Sequence, residues 1–119
     1  MNVDTVCTLA PYFRIRQDKV EQWRELAPQF VERARTEPGC LHYAFSFDGV
    51  NAHCREGYAD ATALLAHLDN VGDLLQRVLR ISEMVRFEVH APDDQIALLR
   101  QPMEELDPQF FTLTEGFRR

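Results

Sequence analysis

The 119-residue sequence has no apolar run near the ~20 residues of a membrane-spanning helix, which excludes an integral helical membrane protein. It has no cluster of Lys or Arg, and a net charge of -6 with a pI near 5.1 argues against a nucleic-acid surface. Its three cysteines, Cys7, Cys40 and Cys54, are an odd number without a CxxC pair. Neither a disulfide framework nor a zinc knuckle follows from them, and reduced thiols packing as small apolar groups are expected. Cys54, flanked by His53 and Arg55, is the one with charged sequence neighbours. No HxH or HxxxH pair is present, so no metal site is expected. Met1-Asn2-Val3-Asp4-Thr5 has neither a basic patch nor a signal-type apolar block, so a cytoplasmic location is expected. No internal repeat or low-complexity segment is visible, and the length suits one domain, 1–119.

What is present centres on residues 37–68. Leu41, Tyr43, Phe45 and Phe47 alternate with His42, Ala44, Ser46 and Asp48, the period of a strand with one face in a core. Asp48-Gly49-Val50-Asn51 supplies a turn, and 52–58 reads as the returning strand of a hairpin. Asp60 stands at an N-cap position before the helix formers Ala61, Ala63, Leu64, Leu65 and Leu68.

Around this segment, 5–16 reads as a first strand, with Cys7, Leu9, Phe13 and Ile15 on one side. Pro11 interrupts it and predicts a bulge, a strand end or an unpaired position. Asp18 and Glu21 resemble a capping box for a helix over 18–36 with a stripe of Val20, Trp23, Ala27, Phe30, Val31 and Ala34. Pro28 inside it predicts a kink or a break. Glu37-Pro38-Gly39 ends the helix, with Gly39 permitting a left-handed turn. Residues 69–73 predict a bent or doubled second helix. Val85, Phe87 and Val89 alternate with Arg86, Glu88 and His90 in a fourth strand over 84–91, closed by Pro92. Asp93 to Arg100 can form a short helix capped by Asp93, Met103 to Asp107 gives no definite pattern, and Gln109 to Thr114 reads as a fifth strand.

The order β-α-β-β-α-β over 5–91, followed by a helix and strand extension over 92–119, is the ferredoxin-like α+β arrangement. Helices cover one sheet face. The open face predicts pairing with a second copy, a homodimer.

Two motifs resemble the dimeric α+β barrel superfamily, in its antibiotic biosynthesis monooxygenase-like branch. One is Glu37-Pro38-Gly39-Cys40-Leu41-His42-Tyr43; the other is Glu56-x-Tyr58-x-Asp60 followed by Leu64 and His67. Tyr58 stands where that family most often has Trp. The resemblance implies a dimeric barrel and a cofactor-independent monooxygenase acting on a small aromatic or polycyclic substrate. The alternative it leaves open is a non-catalytic small-molecule-binding or structural dimer.

If the apolar parities face the helices, the opposite pleats carry Tyr12, Arg14, His42, Ser46, His53, Arg55, Arg86, Glu88 and His90, a polar face able to line a pocket in a two-subunit barrel. An oxygenase without cofactor needs a base to deprotonate an electron-rich phenol and a cation to steady the anion. The candidate catalytic groups are His42, His53, His90, Glu56 and Tyr58. Tyr12, Arg14, Arg55, Arg86 and His67 are candidates for substrate binding, with a structural hydrogen bond as the competing role for His67. The third strand stays open, because Ala52, Cys54, Glu56 and Tyr58 share the other parity and could face the pocket instead.

Overall fold

Alternation and helical spacing become, in the computed structural model, a five-stranded sheet with its helices packed on one face. Residues 4–119 are described; the leader reading of Met1, Asn2 and Val3 lies outside them. The elements are β1 (Cys7–Ile15), α1 (Val20–Arg35), β2 (Cys40–Asp48), β3 (Asn51–Tyr58), α2 (Ala61–Asn70), α3 (Gly72–Leu79), β4 (Ser82–Ala91), α4 (Asp93–Leu99) and β5 (Gln109–Thr112). Strand order is β2-β3-β1-β4-β5, antiparallel except for the parallel β4–β5 pair. This is the expected ferredoxin-like α+β fold, with β5 adding an edge. Among the described residues no helix is long and apolar enough to cross a membrane.

The strand parities hold except at two bulges. Leu41 is an extra residue between the Cys40↔Tyr58 and His42↔Gly57 pairs, and Val85 is extra between Met84 and Arg86. Each is therefore turned outward, Leu41 43% and Val85 45% exposed, instead of into the core as alternation predicts. Met84 takes the inward place beside the core. Pro11 behaves as expected: β1 pairs β3 on either side of it, but Ala10 and Pro11 have no partner there.

The helices depart from expectation at their ends. Gln17–Lys19 forms a 3-10 turn containing Asp18, and no side chain caps α1. Pro28 does not break α1, which runs continuously; the exposed position forfeits only its own amide bond toward Arg24. The second helix is doubled as predicted, into α2 and α3. Asp60 caps α2 by accepting from the Ala63 amide at 2.8 Å. Asp93 does not cap α4; Pro92 stands at that position, and the Asp93 carboxylate accepts from the Thr112 hydroxyl at 3.0 Å.

Gly39 is not in the left-handed region, where the described glycines are Gly49 and Gly116. Its lack of a side chain serves packing: a Cβ there would stand 2.4 Å from the Ala63 Cβ. The turn after α1 is thereby pressed against the first turn of α2. Two clusters fill the layer between sheet and helices, one around Trp23, Phe30 and Leu74, the other around Tyr58, Leu64 and Leu99. Gly39→Ala should force these segments apart and lower stability by about 1–3 kcal/mol in urea unfolding. An unchanged midpoint would show that the contact yields without cost.

Candidate functional site

The same alternation that builds β3 puts Cys54, Glu56 and Tyr58 on its helix-covered pleat, opposite Phe45, Tyr43 and Cys40 of β2. On α2 the buried stripe of Ala61, Leu64 and His67 carries an imidazole to the same layer. The short turn after α1 brings Glu37 from the other side. Of these, Tyr43, Phe45, Cys54, Glu56 and His67 line a cavity of about 30 Å³ whose other walls include Leu9, Phe13, Trp23, Phe30 and Phe87, while Tyr58 and Glu37 stand behind Glu56 and His67.

Glu56 and His67 are each 2% exposed. Tyr58 donates its hydroxyl to Glu56 Oε1 at 2.6 Å, short because the acceptor is a carboxyl. His67 Nδ1 lies 3.0 and 2.9 Å from the two Glu37 oxygens, so Nδ1 carries the proton it donates. Its Nε2 then faces Glu56 Oε1 at 3.5 Å. Asn70, one helical turn beyond His67, donates to Glu37 Oε2 at 2.7 Å and to the Arg33 carbonyl at 3.0 Å. The Arg33 guanidinium in turn donates to the Asn70 carbonyl at 2.9 Å and pairs with Asp73. Glu37, His67 and Glu56 thus form a chain from the turn after α1 to the cavity wall.

Burial dominates the electrostatics. It pushes the Glu56 carboxyl up from 4.5 to about 8, against the hydrogen bonds from Tyr58 and Cys54, which pull it down. The same desolvation holds the His67 imidazolium down, opposed by the Glu37 carboxylate. Tyr58, Tyr43 and the Cys54 thiol are all pushed up, first by burial and then by the charge of Glu56. The arrangement therefore carries a carboxyl that exchanges a proton near neutral pH in an apolar cavity, with an imidazole–carboxylate pair behind it. That is the chemistry of a general acid or base.

The sheet divides the residues singled out from the sequence. Glu56 and His67 come together at the cavity, with Tyr58 hydrogen-bonded to Glu56 behind it. Tyr12, Arg14, His42, His53, Arg55, Arg86 and His90 lie on the opposite, open face. There, Tyr12 stacks on His53 at 4.1 Å, and His53 donates from Nδ1 to the Pro11 carbonyl at 2.8 Å. Arg86 and His90 both bond Glu88, whose carboxyl they hold down, His90 contributing most, while Arg14 pairs with the exposed Glu83. His42 lies across Gly57, where a Cβ would meet its ring at 2.3 Å. Sequence reasoning missed Glu37, Trp23, Tyr43 and Asn70 as site residues. Asn70 had a readable signal, its i,i+3 spacing from His67; Glu37 heads the first motif, but its role depends on a contact 30 residues away that the motif does not record. Among the described residues no group of three His, Cys, Asp or Glu is placed to hold a metal ion.

Because Glu56 holds its proton in the folded state up to about pH 8 but loses it near 4.5 when unfolded, the folded protein binds the extra proton between those values. Stability should fall as pH rises through that window, at up to about 1.4 kcal/mol per pH unit. Glu56→Gln, which cannot ionise, should not show this decline. Urea unfolding of both proteins from pH 5 to 9 checks it, and parallel curves would mean that Glu56 is ionised throughout.

Known proteins share this fold. The family model of antibiotic biosynthesis monooxygenases matches residues 8–72. MupZ from Pseudomonas fluorescens is 40% identical, covers 98% of this chain and 96% of its own, and superposes with a TM-score of 0.91. Rv0793 from Mycobacterium tuberculosis is 24% identical over 74% of this chain and 95% of its own, with a TM-score of 0.64. A Nitrosomonas europaea protein is 15% identical over 78% of this chain and 96% of its own, with a TM-score of 0.68. These two show the shared fold alone. No curated protein matches the sequence. With more than half of its length matched by the family model, the chain belongs to the antibiotic biosynthesis monooxygenase family.

Proposed function

We propose that this protein is a cofactor-independent enzyme that uses Glu56 as its acid–base group on a small, largely apolar aromatic substrate. The observation that carries the proposal is the buried Glu56 carboxyl, at the wall of an apolar cavity and backed by His67 and Glu37. Near pH 8 Glu56 is partly ionised, and its carboxylate then accepts a proton from a phenol. In an oxygenase reaction the phenolate then passes its electrons to dioxygen. One oxygen atom becomes the second carbonyl of a quinone and the other leaves as water with the two hydrogens removed, so the substrate supplies all the electrons. The family's name supports dioxygen as the co-substrate to test first.

A second reading, a non-catalytic binding or structural dimer, is favoured by two observations. The cavity, at about 30 Å³, admits water and not an aromatic ring, since cavities that bind benzene are on the order of 150 Å³. And among the described residues every buried side-chain polar atom has a hydrogen-bond partner, as a purely structural network would.

Oxygen uptake with polycyclic phenols near pH 8 separates the readings. Turnover should fall at least about 100-fold in Glu56→Gln with the melting temperature unchanged or raised. Tyr58→Phe keeps the ring and should lower turnover less. Substrate consumption without oxygen uptake would retain the acid–base role and remove the oxygenase one; binding without consumption would establish the second reading.

The open sheet face carries Tyr12 and Val85, 37% and 45% exposed, and supports a homodimer with facing sheets. Sedimentation at micromolar concentration should give about twice 13.8 kDa, and Val85→Glu should shift it toward monomer. A wild-type monomer would remove the dimer from the proposal.

A further inference from the structure

Two furrows run along the seam between α1 and β2. One, of about 420 Å³, lies over Arg24, Pro28, Val31, Phe45 and Phe47. The other, of about 260 Å³, lies over Val31, Arg35, Leu41 and Tyr43. Tyr43 and Phe45 also wall the inner cavity at Glu56. One layer of aromatic side chains therefore separates the furrows from the buried carboxyl.

Three separate features loosen the structure along this seam. β2 is an edge strand, held by a ladder on one side only. Leu41 is bulged and unpaired in that ladder. Pro28, in the middle of the facing stretch of α1, leaves the Arg24 carbonyl without its helical partner. Backbone hydrogen bonds that resist a local outward movement are thus fewest where the wall is thinnest.

The outer end of the seam has a charge to offer. The Arg24 guanidinium lies 4.3 Å over the Phe47 ring and makes no ion pair among the described residues. The neighbouring Glu32 is instead engaged by Arg35, at 3.6 Å. An acidic chain that leaves this cation unpaired beside an aromatic floor presents a place for an anionic group attached to an apolar body.

We infer that the α1–β2 seam is the ligand gate of the site, and that its ligand is elongated, with an apolar ring end that passes Phe45 toward Glu56 and an anionic end held outside by Arg24. The inference rests on the reading that the cavity receives a substrate, and it adds the route and the shape. Displacing Phe45 and Tyr43 joins the cavity to the furrows and supplies the space that the closed cavity lacks.

Trp23, the single tryptophan, lines the cavity and touches both Phe45 and Phe47, with ring centroids 5.6 and 5.7 Å away, so it reports on the gate. The probes are 3-phenylpropionate, anionic, and 3-phenylpropanol, neutral and otherwise alike, mixed with the full-length protein while Trp23 emission is followed by stopped flow. Both should change the emission. Val31→Phe fills the furrows without lining the cavity and should slow association about five-fold or more, while Phe45→Ala should speed it. Arg24→Gln should weaken 3-phenylpropionate about ten-fold and leave 3-phenylpropanol unchanged. Unchanged association rates in both gate variants, with the emission response intact, would place the entrance elsewhere and leave the role of Glu56 standing. Equal losses for the two probes in Arg24→Gln would overturn the anionic end. No Trp23 response to either probe would overturn the gate and the substrate-binding cavity together.

Discussion

Two carboxyl groups and an imidazole buried between α2 and the sheet set the terms for much of this fold. An isolated carboxylate in that layer would cost several kcal/mol, so Glu56 is accommodated there by retaining its proton and by the Tyr58 hydroxyl, and Glu37 by hydrogen bonds from His67 and Asn70. Those partners come from β3 and α2, while Glu37 itself comes from the turn after α1. The turn after α1 must reach His67, and it does so because Gly39 lets that turn sit against Ala63. α2 must end at Asn70, because its side chain and carbonyl are both engaged by the end of α1. The break between α2 and α3 follows from that engagement as much as from local helix preference.

The exposed half of this junction contributes less energy and more geometry. Arg33 pairs with Asp73, holding that carboxyl down at about 2, but both are solvent-accessible and screened, so the pair orients the junction more than it stabilises it. The apolar clusters around Trp23 and around Tyr58 carry the larger share, through area removed from water. Trp23 also binds the far end of the layer, donating its indole N–H to the Ser82 hydroxyl at 3.0 Å.

The sheet separates two chemically different surfaces. Its covered side holds one titratable chain in an apolar setting, where burial disfavours every charged form and brings the Glu56 carboxyl up to about 8. Its open side holds Arg86, Glu88 and His90 as mutually compensated charges, with His90 stacked on Phe111 of β5 at 4.6 Å. Three of the four histidines lie on that open side, as do all the arginines singled out from the strands. Abundance of titratable residues thus marks the open side, while the groups perturbed first by burial, among them Glu56, His67, Tyr43, Tyr58 and Cys54, lie beneath the sheet.

Local sequence determined the elements and their order. Alternation in 43–47 and 86–91, the Asp60 cap and the break at 69–73 each depend on neighbours within a few residues, and each is found in the structure. So is the separation of the strand residues onto two pleats, since parity is a local property. Register and layer were decided by tertiary structure. Leu41 and Val85 turn outward because a partner strand has one residue fewer, and no pattern within β2 or β4 records that. Asp18 and Asp93 have capping chemistry but do not cap, because the chain enters α1 through a 3-10 turn and Asp93 turns to Thr112. Which pleat encloses a cavity depended on where the helices pack, and the joining of Glu37, His67 and Glu56 depended on contacts between segments distant in the chain, which only a folded backbone can specify.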